Sequence, residues 1–204
     1  MHCFLFSSTP SLPTASMRRF SSIPPFFSPL TDTFGRFHNY LRMSLTEKCN
    51  LRCSYCMPAE GLPSLTPKPL LLSLSERKSL ITLFAKLVVN KLRFTGGEPT
   101  VSTQLKPLLL HASSTHLIPF LSLTTNGLLL KSQLPDLISA GLTSVNISLD
   151  SLIPATFAKI TRREESNLNR VLTAIYASVA AGIKVKVDLP ICRFLSIVNL
   201  SFII

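Results

Sequence analysis

Tyr40-Leu-Arg-Met-Ser-Leu-Thr-Glu-Lys-Cys49-Asn-Leu-Arg-Cys53-Ser-Tyr-Cys56 sets two patterns end to end. The first half alternates. Leu41, Met43 and Leu45 fall on one face of an expected strand, Tyr40–Leu45, and Arg42, Ser44 and Thr46 fall on the other. That is the period of two imposed by a pleated backbone. The second half places three cysteines just beyond the strand's C-terminal end, at spacing C-x3-C-x2-C.

The same strand pattern returns along the chain. Expected strands are Lys91–Thr95, Phe120–Thr124, Ser144–Leu149 and Ile183–Leu189, interleaved with expected helices Ser75–Val89, Thr103–Ser114, Ser132–Ala140 and Asn167–Ala181. Strands that alternate with helices of this length predict βαβ units, hence an α/β fold with a parallel sheet or barrel. Ser75, followed by Glu76 and Lys78, suits a helix start, and Gly141 and Gly182 stand where helices should stop.

Parity within these strands carries a second message. Parallel strands covered on both faces read as continuous apolar runs, but these alternate. Leu92 and Phe94 oppose Arg93 and Thr95; Val145, Ile147 and Leu149 oppose Asn146, Ser148 and Asp150; Val185, Val187 and Leu189 oppose Lys184, Lys186 and Asp188. One face packs on helices and the other is polar. Leaving a charge buried without a partner costs on the order of 3–5 kcal/mol, so the polar face is wet or filled by a polar ligand. Arg42, Arg93 and Lys186 on it suit an anion held by charge-assisted hydrogen bonds; the competing reading is that they snorkel to an exposed edge.

Three of the five cysteines fall within the one short motif, while Cys3 and Cys192 lie far off. That distribution does not make a disulfide scaffold and reads as a metal site. Iron–sulfur cubanes are held by cysteine thiolates, usually four; three on one loop leave one iron open to another ligand. Structural zinc, the alternative, would need a fourth ligand from His38, His111 or Cys192, none at zinc-knuckle spacing.

The 204 residues suit one domain with or without a tail, and 46% hydrophobic residues suffice for a core. A formal charge of +11 favours anionic partners, but the basic residues are spread rather than massed, so neither nucleic acid nor a membrane is expected as a partner. Residues 1–31 are rich in Ser, Thr and Pro, include Arg18 and Arg19, and contain no acid before Asp32. This composition reads as an organelle transit peptide, with an ordinary tail as the competing reading. Residues 32–189 form the expected core domain, and residues 190–204 an apolar tail.

The cysteine spacing, with Tyr55 preceding the last cysteine, resembles the signature of radical S-adenosylmethionine (SAM) enzymes, and Thr95-Gly96-Gly97-Glu98-Pro99 resembles that family's GGEP motif. Asp32-Thr-Phe-Gly-Arg36, Tyr40 through Pro58, Leu92 through Pro99, Thr124-Thr-Asn-Gly127, Val145-Asn-Ile-Ser-Leu-Asp150 and Thr161-Arg-Arg163 together resemble the GTP 3′,8-cyclase family of molybdenum cofactor biosynthesis. The resemblance implies a partial (β/α) TIM-type barrel, with Cys49, Cys53 and Cys56 ligating a [4Fe–4S] cluster. It implies SAM contacts from Tyr55, Gly97 and Ser148, and GTP contacts from Arg42, Arg93, Thr124 and Lys186. In such enzymes a 5′-deoxyadenosyl radical made from SAM takes hydrogen from the ribose C3′ of GTP. The product, 3′,8-cyclo-7,8-dihydro-GTP, passes to a cyclic pyranopterin monophosphate synthase. A mitochondrial matrix location is expected, with the cytoplasm as alternative, and a homodimer is a further expectation.

The resemblance ends near Leu189. Family members carry three further C-terminal cysteines for a second cluster, whereas only Cys192 follows Cys56 here, and Ser102 stands where a basic residue is expected. The chain is therefore expected to be a C-terminally truncated, incomplete barrel. The alternatives to a working cyclase are a remnant that binds cluster or SAM without turnover, and another radical SAM enzyme.

Overall fold

The computed structural model describes residues 28–189. Most of the expected transit segment, the apolar tail 190–204, Cys3 and Cys192 lie outside them.

Five strands, β1 (Tyr40–Ser44), β2 (Lys91–Thr95), β3 (Phe120–Thr125), β4 (Ser144–Ser148) and β5 (Lys184–Asp188), form one sheet in the order 1-2-3-4-5. Every pairing is parallel. Sequential order with parallel pairing is the winding of a TIM-type barrel, each crossover carrying helices to the same face. Among the described residues the sheet does not close, so the architecture is the expected partial barrel.

The crossover helices are α1 (Leu74–Lys86), α2 (Leu105–Ser114), α3 (Leu130–Ser139), α4 (Pro154–Thr161) and α5 (Ser166–Ala180). Four were expected; α4 was not. Its first residue is proline, whose missing N–H costs nothing at a helix start. Phe157, Ile160 and Thr161, three and four residues apart, supply its buried face. The start of α1 differs from expectation too. Ser73, not Ser75, is the N-cap: its hydroxyl accepts from the Glu76 N–H at 3.3 Å while the Glu76 carboxylate accepts from the Ser73 N–H at 2.7 Å. This reciprocal box satisfies two otherwise orphaned donors. Gly141 and Gly182 follow α3 and α5 as expected, both at positive φ.

The alternation holds. Leu41, Met43, Leu92, Phe94, Leu121, Leu123, Val145, Ile147, Val185 and Val187 are all buried in the core shared with the helices. The opposite face carries polar rows fixed by the register. Arg42 pairs with Arg93, Arg93 with Ser122, Ser122 with Ser144 and Ser144 with Lys184; one step along, Thr124 pairs with Asn146 and Asn146 with Lys186. Five strands in parallel thus bring residues from the whole chain onto one polar surface, with the loops after each strand along a single rim.

Candidate active site

That rim gathers the sequence motifs. The cysteine loop leaves β1, the Gly-Gly-Glu segment leaves β2, Thr124–Gly127 ends β3, and Ser148–Asp150 ends β4. In this winding the C-terminal rim is where chemistry resides.

Gly96 and Gly97 are required by a close approach of backbone to backbone. The Gly97 N–H donates to Thr46 O at 2.7 Å and the Glu98 N–H to Lys48 O at 2.8 Å, binding this segment to the residues just before Cys49. A Cβ on Gly96 would stand 2.5 Å from Thr46 O, and one on Gly97 2.5 Å from Lys48 O. Gly97 is expected to contact SAM and is exposed on its other side; the close neighbour of both glycines is the protein's own chain.

Glu98 organises the interior of the rim. Its buried carboxylate accepts from Thr100 N, Thr100 Oγ1, Thr125 Oγ1 and Asn126 N, at 3.1, 2.6, 2.7 and 2.7 Å. Asn126, held in this way, donates through Nδ2 to Asn50 Oδ1 at 2.7 Å and toward Cys49 Sγ at 3.9 Å. On the other side Asp150, buried, accepts from Tyr55 OH at 2.7 Å and from Cys53 Sγ at 3.7 Å. Glu98, Asn126 and Asp150 lie within the motifs that carry the family resemblance, but no role was expected of them. Their legible signal was a polar residue at a strand's C-terminal end.

Burial raises the Cys49 thiol and pushes Cys53 up to about 12, with the Asp150 carboxylate adding to the latter. Tyr55 is half exposed as a residue, but its hydroxyl is turned in against Asp150, and desolvation there and the neighbouring carboxylate raise it; Asp150 itself is raised by burial. Thiols so placed are protonated at neutral pH unless a metal takes the proton's position, and a coordinating thiol is deprotonated outright. Cys56 is the exposed member.

The thiols lie within electrostatic reach of one another, since Cys56 raises both other thiols. Yet among the described residues no three His, Cys, Asp or Glu side chains converge as ligands of a single ion. Three cysteine thiols on one loop are the donor chemistry by which iron–sulfur centres are held.

The polar face below the rim contains the four residues expected to meet GTP. Arg42 Nε, Arg93 Nε and Thr124 Oγ1 are buried with no hydrogen-bond partner. Lys186 instead pairs with Asp188 at 2.7 Å and is half exposed. The Arg93 guanidinium lies 5.6 Å from the centre of the Tyr40 ring, and Lys91 Nζ 4.8 Å from it. Ser148, expected to contact SAM, sits at the end of β4 in register with Asp188.

The radical SAM superfamily model matches residues 43–193, most of the chain and all of the rim just described. The chain belongs to the radical SAM superfamily. Membership of the radical SAM superfamily brings a [4Fe–4S] cluster and SAM as cofactors, and the three-thiol loop fits the former. Curated relatives are narrower in kind. The chain is 50% identical over 173 residues to the mitochondrial GTP 3′,8-cyclase of Arabidopsis thaliana, covering 84% of this chain and 44% of that protein. It is 45% identical to human molybdenum cofactor biosynthesis protein 1, covering 84% and 27%, and 46% identical to the GTP 3′,8-cyclase of Mycolicibacterium smegmatis, covering 82% and 46%. The chain thus spans less than half the length of these relatives. Among solved structures, Streptococcus suis SuiB bound to S-adenosylmethionine superposes with a TM-score of 0.56 at 17% identity, over 74% of this chain and 33% of that one. Native anSMEcpe with bound AdoMet gives 0.53 at 19%, over 72% and 42%. These two share the fold.

Proposed function

We propose that this chain is the SAM-binding portion of a GTP 3′,8-cyclase, the enzyme that converts GTP to 3′,8-cyclo-7,8-dihydro-GTP at the start of molybdenum cofactor biosynthesis. The observation that carries the reading is the set of three buried, unpartnered polar atoms on the inner face, Arg42 Nε, Arg93 Nε and Thr124 Oγ1. Buried donors without partners are rare and costly. Arg42 and Arg93 are also direct register partners, and like charges opposite one another destabilise a sheet. A polyanion with hydrogen-bond acceptors removes both costs, and a nucleoside triphosphate has that chemistry. The names of the relatives point to GTP.

In this reading Cys49, Cys53 and Cys56 hold the cluster, and Tyr55, Gly97 and Ser148 line the SAM site beside it. Together these cofactors, when bound, supply one-electron hydrogen abstraction. The chain's own residues do the rest. Arg42, Arg93 and Lys186 neutralise the phosphates and fix them below the rim, and Thr124 orients the nucleotide by a hydrogen bond. The acceptor array of Glu98 holds Asn126 against Cys49 and keeps the loop in place. The product would feed a cyclic pyranopterin monophosphate synthase. A mitochondrial location is supported by the acid-free N-terminal composition and the name of the Arabidopsis relative.

Arg93→Ala tests the substrate assignment. GTP binding should weaken by roughly 10- to 100-fold, the effect of losing a hydrogen bond to a charged group, while SAM binding is spared. Unchanged GTP affinity by calorimetry would remove GTP from this face. Cys53→Ser should abolish both the cluster spectrum and reductive SAM cleavage, and retained cleavage would contradict the ligand assignment.

A further inference from the structure

The Thr161-Arg-Arg163 motif has no part in the sites above, yet it touches the cysteine loop along its whole length. The last carbonyls of α4 lack helical partners, and the loop supplies them. The Ser54 N–H donates to Ile160 O at 2.9 Å and the Arg52 N–H to Thr161 O at 3.0 Å. Beyond the helix, Arg163 Nε donates to Asn50 O at 2.9 Å and Arg162 Nη1 to Met57 O at 3.0 Å. The stretch between Cys49 and Cys53 is therefore tied twice, the stretch between Cys53 and Cys56 once, and the residue after Cys56 once. All four ties run to four consecutive residues. Arg162 adopts φ +52°, the left-handed region that a non-glycine residue enters at a cost. That conformation ends α4 and turns the chain so that consecutive arginines reach opposite ends of the loop. Arg163 Nη1 also donates to Arg162 O at 3.0 Å, which braces the turn.

We propose that residues 160–163 are a template for the cluster loop, with Arg162 and Arg163 as positioning residues that hold the three thiols in their ligating arrangement before any iron is bound. The inference deepens the cluster assignment and rests on it, and it is independent of GTP.

The 204-residue chain with Arg163→Ala and, separately, Arg162→Gly provides the test. In the iron-free protein, hydrogen exchange at the Arg52 and Ser54 amides should rise roughly tenfold in Arg163→Ala, while the β4 amides of Val145 and Ile147 keep their protection. After anaerobic reconstitution, chelator-driven loss of the cluster's visible absorbance should be roughly tenfold faster in both variants, the size of effect seen when outer-shell partners of metal ligands are removed. Arg162→Gly guards against misfolding, because glycine suits φ +52° and leaves thermal stability unchanged or higher. The inference is overturned if both variants release the cluster at the wild-type rate. It is equally overturned if exchange rises evenly across sheet and loop, which marks an ordinary stabilising contact. Failure of the wild-type chain to take up a cluster refutes the ligand assignment and the template with it, whereas a stable wild-type cluster that both variants keep equally well refutes the template alone.

Discussion

At the scale of single residues, chemistry was most legible where a side chain contradicts its surroundings. Arg42 and Arg93 stand on strands that alternate apolar with polar residues, so their place on a polar face followed from parity alone, and both carry buried donors without partners. The residues that were not legible are those whose function is to hold others. Glu98 looks like one more letter of a turn motif until its four donors are seen, and Asn126 reaches Cys49 across 77 positions of sequence. Asp32 is a simpler case with a pH consequence. Its carboxylate accepts from the N–H groups of Phe34 and Arg36 and pairs with the Arg36 side chain. These partners, the Arg36 N–H foremost, lower it from 3.8 to about 2. A depressed carboxylate stabilises the folded turn above the unfolded value, and the contribution fades as pH falls from about 4 toward 2. The Asp32 carboxyl resonance should therefore titrate near pH 2, with the Thr31–Phe37 bridge intact at pH 4; titration at the ordinary carboxylate value would contradict the turn geometry.

At the scale of elements, strands were read more accurately than helix ends. A strand advertises itself by parity on both faces, whereas a helix end depends on which of several polar residues turns inward. The segment Leu72-Ser73-Leu74-Ser75-Glu76 offers two serines, and only Ser73 has a glutamate three residues on. Ser73→Ala should cost about 1 kcal/mol, a drop of roughly 2–4 °C in thermal midpoint for a domain of this size; an unchanged midpoint would show the box to be idle. Helix α4 escaped detection because it is eight residues long and rich in β-branched side chains. Its spacing of Phe157, Ile160 and Thr161 was nevertheless present in the sequence. The join between β2 and the cysteine loop is more demanding. Gly97→Ala puts a Cβ against Lys48 O, and something must shift. The substitution should destabilise by about 1–3 kcal/mol, as overpacking does, and should lower cluster content after reconstitution. Normal stability together with normal iron content would mean that the loop has slack.

At the scale of the molecule, the winding was legible and the enclosure was not. Alternating strands and helices specify sequential parallel pairing, and one polar face specifies a site. How that site is covered depends on what lies beyond β5, which among the described residues is an edge with Lys184 and Lys186 exposed. The polar rows still converge on one surface with positive charge, as an anionic substrate requires. The most direct measurement is anaerobic reconstitution of the 204-residue chain, followed by assay of reductive SAM cleavage with and without GTP. The account predicts a SAM-cleaving [4Fe–4S] protein whose 5′-deoxyadenosine formation rises when GTP is added. A cluster whose SAM cleavage is indifferent to GTP would contradict the cyclase assignment, and an iron-free, inactive product would contradict the cluster site itself.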